Sequence, residues 1–230
     1  MKKTLILCDF DGTVTESDTT DMLLTNFANN KWEDIGKKYV NGNISHAEMN
    51  TKFAQMLNAT PSEIDVALRQ SMPRGDFHQF ITSLNFNKTE IIVVSSGWYY
   101  YIEKTLGRYN PYRFSDLSST HALEKFKIPV ISNDILYDKN IGTWNIQLLW
   151  EKYSCKLSSP CKGTILQAFR NNYDKIIAIG NSESDICMIE KADISFAFGT
   201  LQKICETQNI PCQNVKNFTE IKNQIQTLNT

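Results

Sequence analysis

A chain of 230 residues with a formal net charge of −1 and 41% hydrophobic residues has room for one sizeable core and a small insert. The near-neutral balance gives no electrostatic case for nucleic acid or an anionic membrane surface, and no apolar run approaches the roughly 20 residues that span a bilayer. Met1-Lys2-Lys3 is basic and an apolar run follows it. That run breaks at Asp9 and Asp11, too early for a signal-peptide core, so a cytoplasmic protein is expected. The six cysteines, at 8, 155, 161, 187, 205 and 212, form no CxxC pair, and size and context argue against a disulfide framework. Cys155 and Cys161 are the close pair. They read as reduced thiols on a loop, with a metal or redox role as the alternative.

In chain order, Thr4 to Cys8 is a short apolar, β-rich run that reads as a buried strand. Asp18 can cap a helix through Met22, Leu23 and Phe27, and a second helix covers Lys31 to Val40. Ser45-His46-Ala47-Glu48 and Thr60-Pro61-Ser62-Glu63 are capping boxes that start helices over Ser45 to Leu57 and Pro61 to Ser71. Residues 14–72 therefore read as a small helical unit inserted after the first strand, within a core formed by 1–13 and 73–230. A helix (Asp76 to Leu84) then leads to the run Ile91 to Val94, and a helix after Gly97 reaches Leu106. Arg108 to Ser159 is less regular, with a hairpin expected over Ile131 to Leu149 that turns at Asp138 to Gly142. A helix after Lys162, a strand at Lys175 to Ile179 and a helix around Asp185 to Lys191 follow. The chain ends with a strand at Ile194 to Phe198, a helix near Leu201 to Gln208, a short run at Cys212 to Val215 and a helix from Phe218 to Leu228. Strands alternating with helices imply an α/β fold with a doubly wound parallel sheet, whose ligands bind beyond the carboxyl ends of the strands.

What stands at those ends is chemically coherent. Two carboxylates, Asp9 and Asp11, follow the first strand, and like charges in one site repel unless a divalent cation such as Mg²⁺ neutralises them. Gly12 permits a sharp turn and Thr13 adds a hydroxyl and an amide; the plainer alternative is a strand ending in an Asx-type turn. Ser95-Ser96-Gly97 after the second run reads as a hydroxyl and free amides at a helix start, suited to phosphate, or as an ordinary N-cap. Gly180 to Asp185 offers a glycine turn followed by oxygen ligands, or a plain loop. Lys162 can reach the same pocket, or stand in solvent.

Four segments then carry a resemblance: Cys8 to Thr15 (CDFDGTVT), Val93 to Gly97, Cys161-Lys162-Gly163 and Gly180 to Asp185. In this order, over nearly the whole chain, they resemble haloacid dehalogenase-like phosphatases of the phosphoserine phosphatase type. Within that group they are most similar to the methionine-salvage phosphatases acting on 2-hydroxy-3-keto-5-methylthiopentenyl-1-phosphate. The resemblance implies a Rossmann-like core with a helical cap, and a small phosphorylated metabolite as partner, in a monomer or homodimer. It implies Asp9 as nucleophile, Asp11 as general acid and base, and Ser95, Ser96, Gly97, Lys162, Gly12 and Thr13 around the phosphoryl group. Mg²⁺ would be held by Asp9, the Asp11 carbonyl, Asn181 and Asp185. The family usually has Asp where Asn181 stands, so Asp185 is expected to carry the acidic contribution, with Glu183 as a further possibility.

Substrate choice is expected in the cap. Asp18 occupies the region where phosphoserine phosphatases place a carboxylate for a substrate amine, and Arg74 could meet a substrate carboxylate or a second phosphate; the alternatives are a helix cap and a solvated hinge charge. Trp32, Tyr39 and Phe53 read as packing, whereas Trp98, directly after Gly97, is the expected aromatic pocket wall. A protein that binds a phosphorylated ligand without turnover, or that transfers the phosphoryl group to another metabolite, remains an alternative.

Overall fold

The computed structural model describes residues 3–114, 117 and 127–227. Leu228, the expected end of the last helix, and residues 115–116 and 118–126 of the irregular region lie outside the described residues. No helix among the described residues is long and apolar enough to cross a membrane.

The first strand, β1 (Thr4–Cys8), is buried on both faces. Because side chains alternate along a strand, Ile6 and Cys8 enter one apolar cluster and Leu5 and Leu7 the other. β1 pairs in parallel with β2 (Thr89–Trp98) on one side and β6 (Lys175–Gly180) on the other. On the far side of β2 lies β4 (Ile128–Asp138), and beyond it β3 (Pro111–Arg113); beyond β6 lie β7 (Ile194–Ala197) and β8 (Gln213–Asn214). The order β3-β4-β2-β1-β6-β7-β8 places the change of winding direction beside β1, where doubly wound sheets bind ligands. Register finishes the placement. Cys8 stands opposite both Val93 and Ile179, so the residues that follow each strand emerge level with one another.

The helices cover both faces of this sheet. α5 (Phe77–Ser83), α6 (Tyr99–Thr105) and α10 (Phe218–Thr227) pack on the Ile6 face, with the Phe77 and Phe218 rings 5.0 Å apart. α7 (Lys162–Phe169), α8 (Ile186–Ile189) and α9 (Gly199–Gln208) pack on the Leu5 face. α8 is shorter than the expected helix at both ends: Asp185 belongs to a 3₁₀ turn over Glu183 to Asp185, and the helix stops at Ile189.

Four helices, α1 (Thr19–Phe27), α2 (Trp32–Val40), α3 (His46–Met56) and α4 (Pro61–Ala67), fill the space between β1 and α5. Their starts follow from local chemistry. Asp18 accepts from the Asp21 amide, and both capping boxes form, Ser45 with Glu48 and Thr60 with Glu63. The chain leaves and rejoins the sheet at one place, where Thr15 bridges Pro73 and the Arg74 amide donates to the Val14 carbonyl at 2.7 Å. The hairpin forms from β4 and β5 (Thr143–Gln147), with β4 starting earlier than expected because its first half also pairs with β2 and β3.

The second expected strand end is also placed differently. β2 runs on through Trp98, and α6 starts at Tyr99 with no side-chain cap. Between Val94 and Trp98 the pairing with β4 shifts register: three residues of β2 stand opposite the single Ser132 of β4. Ser95-Ser96-Gly97 is thus an irregularity within a strand, of the kind that re-aims groups beside functional sites, rather than a helix N-terminus.

The hairpin is tied to the inserted helices through Trp144, which is buried and donates its indole N–H to the Ala59 carbonyl at 2.8 Å. Replacing Trp144 by Phe keeps a ring and leaves that carbonyl unpaired, so equilibrium urea unfolding should show a loss of about 1–2 kcal/mol. An unchanged unfolding midpoint would contradict the role given to this bond.

Candidate active site

The site is built around Asp9. Its amide is held by the Ile179 carbonyl at 2.9 Å, which ties the end of β1 to β6. The side chain is buried, and its Oδ1 accepts from Lys162 Nζ at 2.6 Å. Lys162 is itself 1% exposed and also pairs with Asp185, which is 0% exposed, and with Ser184 Oγ at 3.3 Å. Burial works against the Lys162 ammonium, yet the charges of Asp185 and Asp9 outweigh it and hold its pKa above the ordinary lysine value. The positive charge that sequence left either in the pocket or in solvent is therefore buried and permanent.

Two carboxylates around one ammonium leave an excess negative charge. Burial, and next to it the charge of Asp185, push the Asp9 pKa up to about 7, against the pull of Lys162. Asp11 is also raised, first by burial and then by the charge of Asp18. Both Asp11 oxygens are engaged: Oδ1 accepts from the Thr19 amide at 2.9 Å and Oδ2 from the Tyr101 hydroxyl at 2.5 Å. Tyr101 is a residue that sequence reasoning missed. No local signal marked it, because Tyr101 reaches Asp11 only once α6 packs beside the end of β1. A Cβ at Gly97 would collide with the Tyr101 hydroxyl and with Asp11 Oδ2, so the glycine is what lets the two meet.

Behind Asp9 the loop closes on Asn181. With its amide nitrogen turned inward, Asn181 donates to Asp9 Oδ2 (2.8 Å), the Asp11 carbonyl (3.1 Å) and Thr13 Oγ1 (3.2 Å). Turned the other way, its amide oxygen joins Asp9 Oδ2 and the Asp11 carbonyl in a set with the same spacings. Neighbouring oxygens around octahedral Mg²⁺, with bonds of 2.0–2.1 Å, stand about 2.9 Å apart. This donor set fits Mg²⁺. Gly12 makes it possible: its φ is +73°, and a Cβ there would strike the Asn181 side chain.

Asp185 is placed otherwise than expected for a metal ligand. One oxygen faces Lys162, and the other accepts from the Asn181 amide (2.8 Å) and the Ser182 amide (3.0 Å). It positions the lysine and the loop, because a buried carboxylate goes where ammonium and amide donors can satisfy it. Glu183 is exposed.

Asp9, Asp11, Asp18, Ser95, Ser96, Gly97 and Lys162 come together on one cavity of about 370 Å³. Ser95 is buried, and its Oγ accepts from the Gly97 amide at 2.9 Å. The Ser96 hydroxyl is buried without a hydrogen-bond partner. An unsatisfied buried hydroxyl costs roughly 1–3 kcal/mol, and Ser96 is one of the residues that line the cavity.

Arg74 and Trp98 do not line this cavity. Arg74 donates from Nε to the Thr13 carbonyl (2.9 Å) and from Nη2 to the Gly12 carbonyl (3.0 Å), with its guanidinium over the Phe198 ring. It clamps the Asp-bearing loop from behind instead of meeting a substrate carboxylate. Trp98 is buried and donates its indole N–H to Asn50 Oδ1 at 3.0 Å. The aromatic wall comes instead from Trp32, Tyr39 and Phe53 of the inserted helices, with Met49 beside them. His46 also faces the cavity, and burial lowers its pKa to about 4, so it is neutral at pH 7.

Residues 6–190 match the sequence model of the haloacid dehalogenase-like hydrolases. Two curated relatives are 2-hydroxy-3-keto-5-methylthiopentenyl-1-phosphate phosphatases. The one from Bacillus cytotoxicus is 25% identical over 229 residues, covering 97% of this chain and 96% of its own. The one from Brevibacillus brevis is 24% identical over 224 residues, covering 96% and 94%. Among solved structures, a phospho-aspartyl intermediate analogue of phosphoserine phosphatase superposes with a TM-score of 0.67 at 20% identity, covering 96% of this chain and 98% of that one. A phosphoserine phosphohydrolase-like protein from Francisella tularensis gives 0.64 at 17% identity, covering 98% and 100%.

The raised Asp9 pKa has a consequence for cation binding. A proton on Asp9 competes with a cation, so affinity rises with pH until the carboxyl is ionised near pH 7 and levels off above it. Calorimetric titration should show Mg²⁺ binding roughly tenfold tighter at pH 8 than at pH 6. The same affinity at both values would contradict this donor set.

Proposed function

Because the chain belongs to the haloacid dehalogenase-like hydrolase family, we propose that it is a Mg²⁺-dependent phosphomonoesterase that hydrolyses a small phosphorylated metabolite through a phosphoryl group carried on Asp9. One observation carries this reading: a buried carboxylate held by a buried lysine opens onto the same cavity as a second carboxylate and an unpartnered serine hydroxyl.

Asp9 Oδ1 attacks phosphorus, and the bond from phosphorus to the ester oxygen breaks. The departing oxygen takes its proton from Asp11, whose raised pKa suits it to hold one. Water then attacks the same phosphorus, gives a proton to Asp11, and the Asp9–phosphorus bond breaks to release phosphate and free Asp9. Two carboxylates are needed because Asp9, once esterified, can no longer move protons. Lys162 and the hydroxyls of Ser95 and Ser96 bind phosphoryl oxygens and stabilise charge as it develops. Mg²⁺, when held by Asp9 Oδ2, the Asp11 carbonyl and the Asn181 amide oxygen, supplies positive charge that screens the carboxylate from the phosphate. Tyr101 and the Thr19 amide orient Asp11.

Helices of 14–72 act as a cap that selects the substrate. Trp32, Tyr39, Met49 and Phe53 offer apolar and aromatic surface, while Asp18 and Asp21 offer negative charge at the same cavity. Arg74 is committed to the backbone, and Lys162 is the cation among the described cavity-lining residues. That lining suits a phosphate ester with an apolar or ring-bearing body and no carboxylate, rather than a compact amino-acid phosphate.

The test uses p-nitrophenyl phosphate and then a panel of phosphorylated metabolites. Mg²⁺-dependent hydrolysis is expected, with ring-bearing esters turned over at higher kcat/KM than phosphoserine. Asp9→Asn should lose roughly a thousandfold or more in kcat while keeping its unfolding midpoint. Folded wild-type protein without Mg²⁺-dependent turnover of any ester would overturn the proposal.

A further inference from the structure

Three cysteines outside the phosphate cavity lie together. Cys155 sits on the loop before α7, Cys161 is the residue from which α7 starts, and Cys187 belongs to α8. Their sulfur atoms all lie within 4.8 Å of one another. Cys161 is buried and the other two are half-buried, so an ion can reach them from solvent.

The arrangement is held from several sides. The Cys155 amide donates to the Ser158 carbonyl at 3.0 Å, and the Cys161 amide to the Tyr153 carbonyl at 2.8 Å, which closes the loop on itself. Ser154 Oγ bonds Ser159 Oγ at 2.7 Å, and Asn133 Nδ2 donates to the Ser159 carbonyl at 2.9 Å, fixing the loop to β4. On the other side, Gly163 lets α7 press against Cys187: a Cβ there would collide with the Cys187 carbonyl. Three elements are thus brought close where each presents a sulfur.

We propose that Cys155, Cys161 and Cys187 form a three-thiolate site for a thiophilic divalent cation, Zn²⁺ in the first instance. Sulfurs bound to one tetrahedral Zn²⁺ at about 2.3 Å stand about 3.8 Å apart, within reach of the spacing already present. A disulfide would join two sulfurs and leave the third over, whereas one cation takes all three and keeps a fourth position for water. Sulfur ligands select such an ion against Mg²⁺, which prefers oxygen. Each thiol gives up its proton to solvent on binding. The ion ties the residue before Lys162 to the helix that follows Asp185, and so braces the buried lysine from behind.

The test is a titration of the reduced, metal-free full-length protein with Co²⁺, then Zn²⁺. The proposal predicts thiolate-to-cobalt charge-transfer bands that saturate at one ion per chain, vanish on adding Zn²⁺ and persist in excess Mg²⁺. Co²⁺ held by oxygens near Asp9 would lack those bands. Cys155→Ser and Cys187→Ser should each weaken Co²⁺ binding roughly tenfold or more, with circular dichroism reporting that they are folded. Cys212→Ser should bind as wild type. Absence of the bands in wild-type protein, or wild-type Co²⁺ affinity in folded Cys187→Ser, would overturn the site; the wild-type spectrum decides even if a variant does not fold.

Discussion

The structure depends on one buried ammonium. Lys162 sits between Asp9 and Asp185 with no exposed surface to speak of, and each charge there is tolerable only because of the others. Desolvating an ion in a protein costs several kcal/mol, and removing one partner from such a set is commonly worth about 3–5 kcal/mol. The set carries one negative charge too many, and burial turns that excess into affinity for a proton at Asp9. A cation or an electrophilic phosphorus relieves the same excess. The feature that strains the resting site is the one that suits it to phosphoryl chemistry.

The rest of the site works by committing groups in advance. Arg74, which looks free in the sequence, is spent on two carbonyls of the Asp-bearing loop. Asp185 is spent on Lys162 and two amides. Tyr101 and the Thr19 amide take both oxygens of Asp11, so this carboxylate is held in one orientation in the resting site. The Ser96 hydroxyl stands apart, buried and unpartnered. Asn181 is neutral, which leaves Asp9 as the one carboxylate among the oxygens that the Asn181 side chain faces.

Much of this was legible in the sequence, for physical reasons. The apolar run before Asp9, the capping boxes and the glycine turn after β6 are local signals, and the helices and strands formed where those signals lay. The parallel sheet followed from the alternation of elements, and it brought Asp9, Asp11 and Lys162 to one cavity. What was hidden depends on pairing between distant residues. Ser95 to Gly97 read as a helix start because serine and glycine favour caps; only the ladder with β4 shows that the strand runs through them. Trp98 was placed in the pocket by its neighbour Gly97, but Asn50, far away in sequence, receives its indole N–H and buries it. Phe53 and Trp32 read as packing because aromatic residues on an amphipathic helix usually are, and the cavity they line exists only after the helices fold back over β1. Cys187 joins Cys155 and Cys161 only through the contact of α7 with α8.

The most direct measurement of the central claim is mass spectrometry of the protein quenched in acid during turnover, followed by peptide mapping. The account predicts a mass gain of one phosphoryl group, labile to base, on the peptide that carries Asp9. Turnover of a phosphate ester with Asp9 left unmodified, or with the phosphoryl group on another residue, would contradict it.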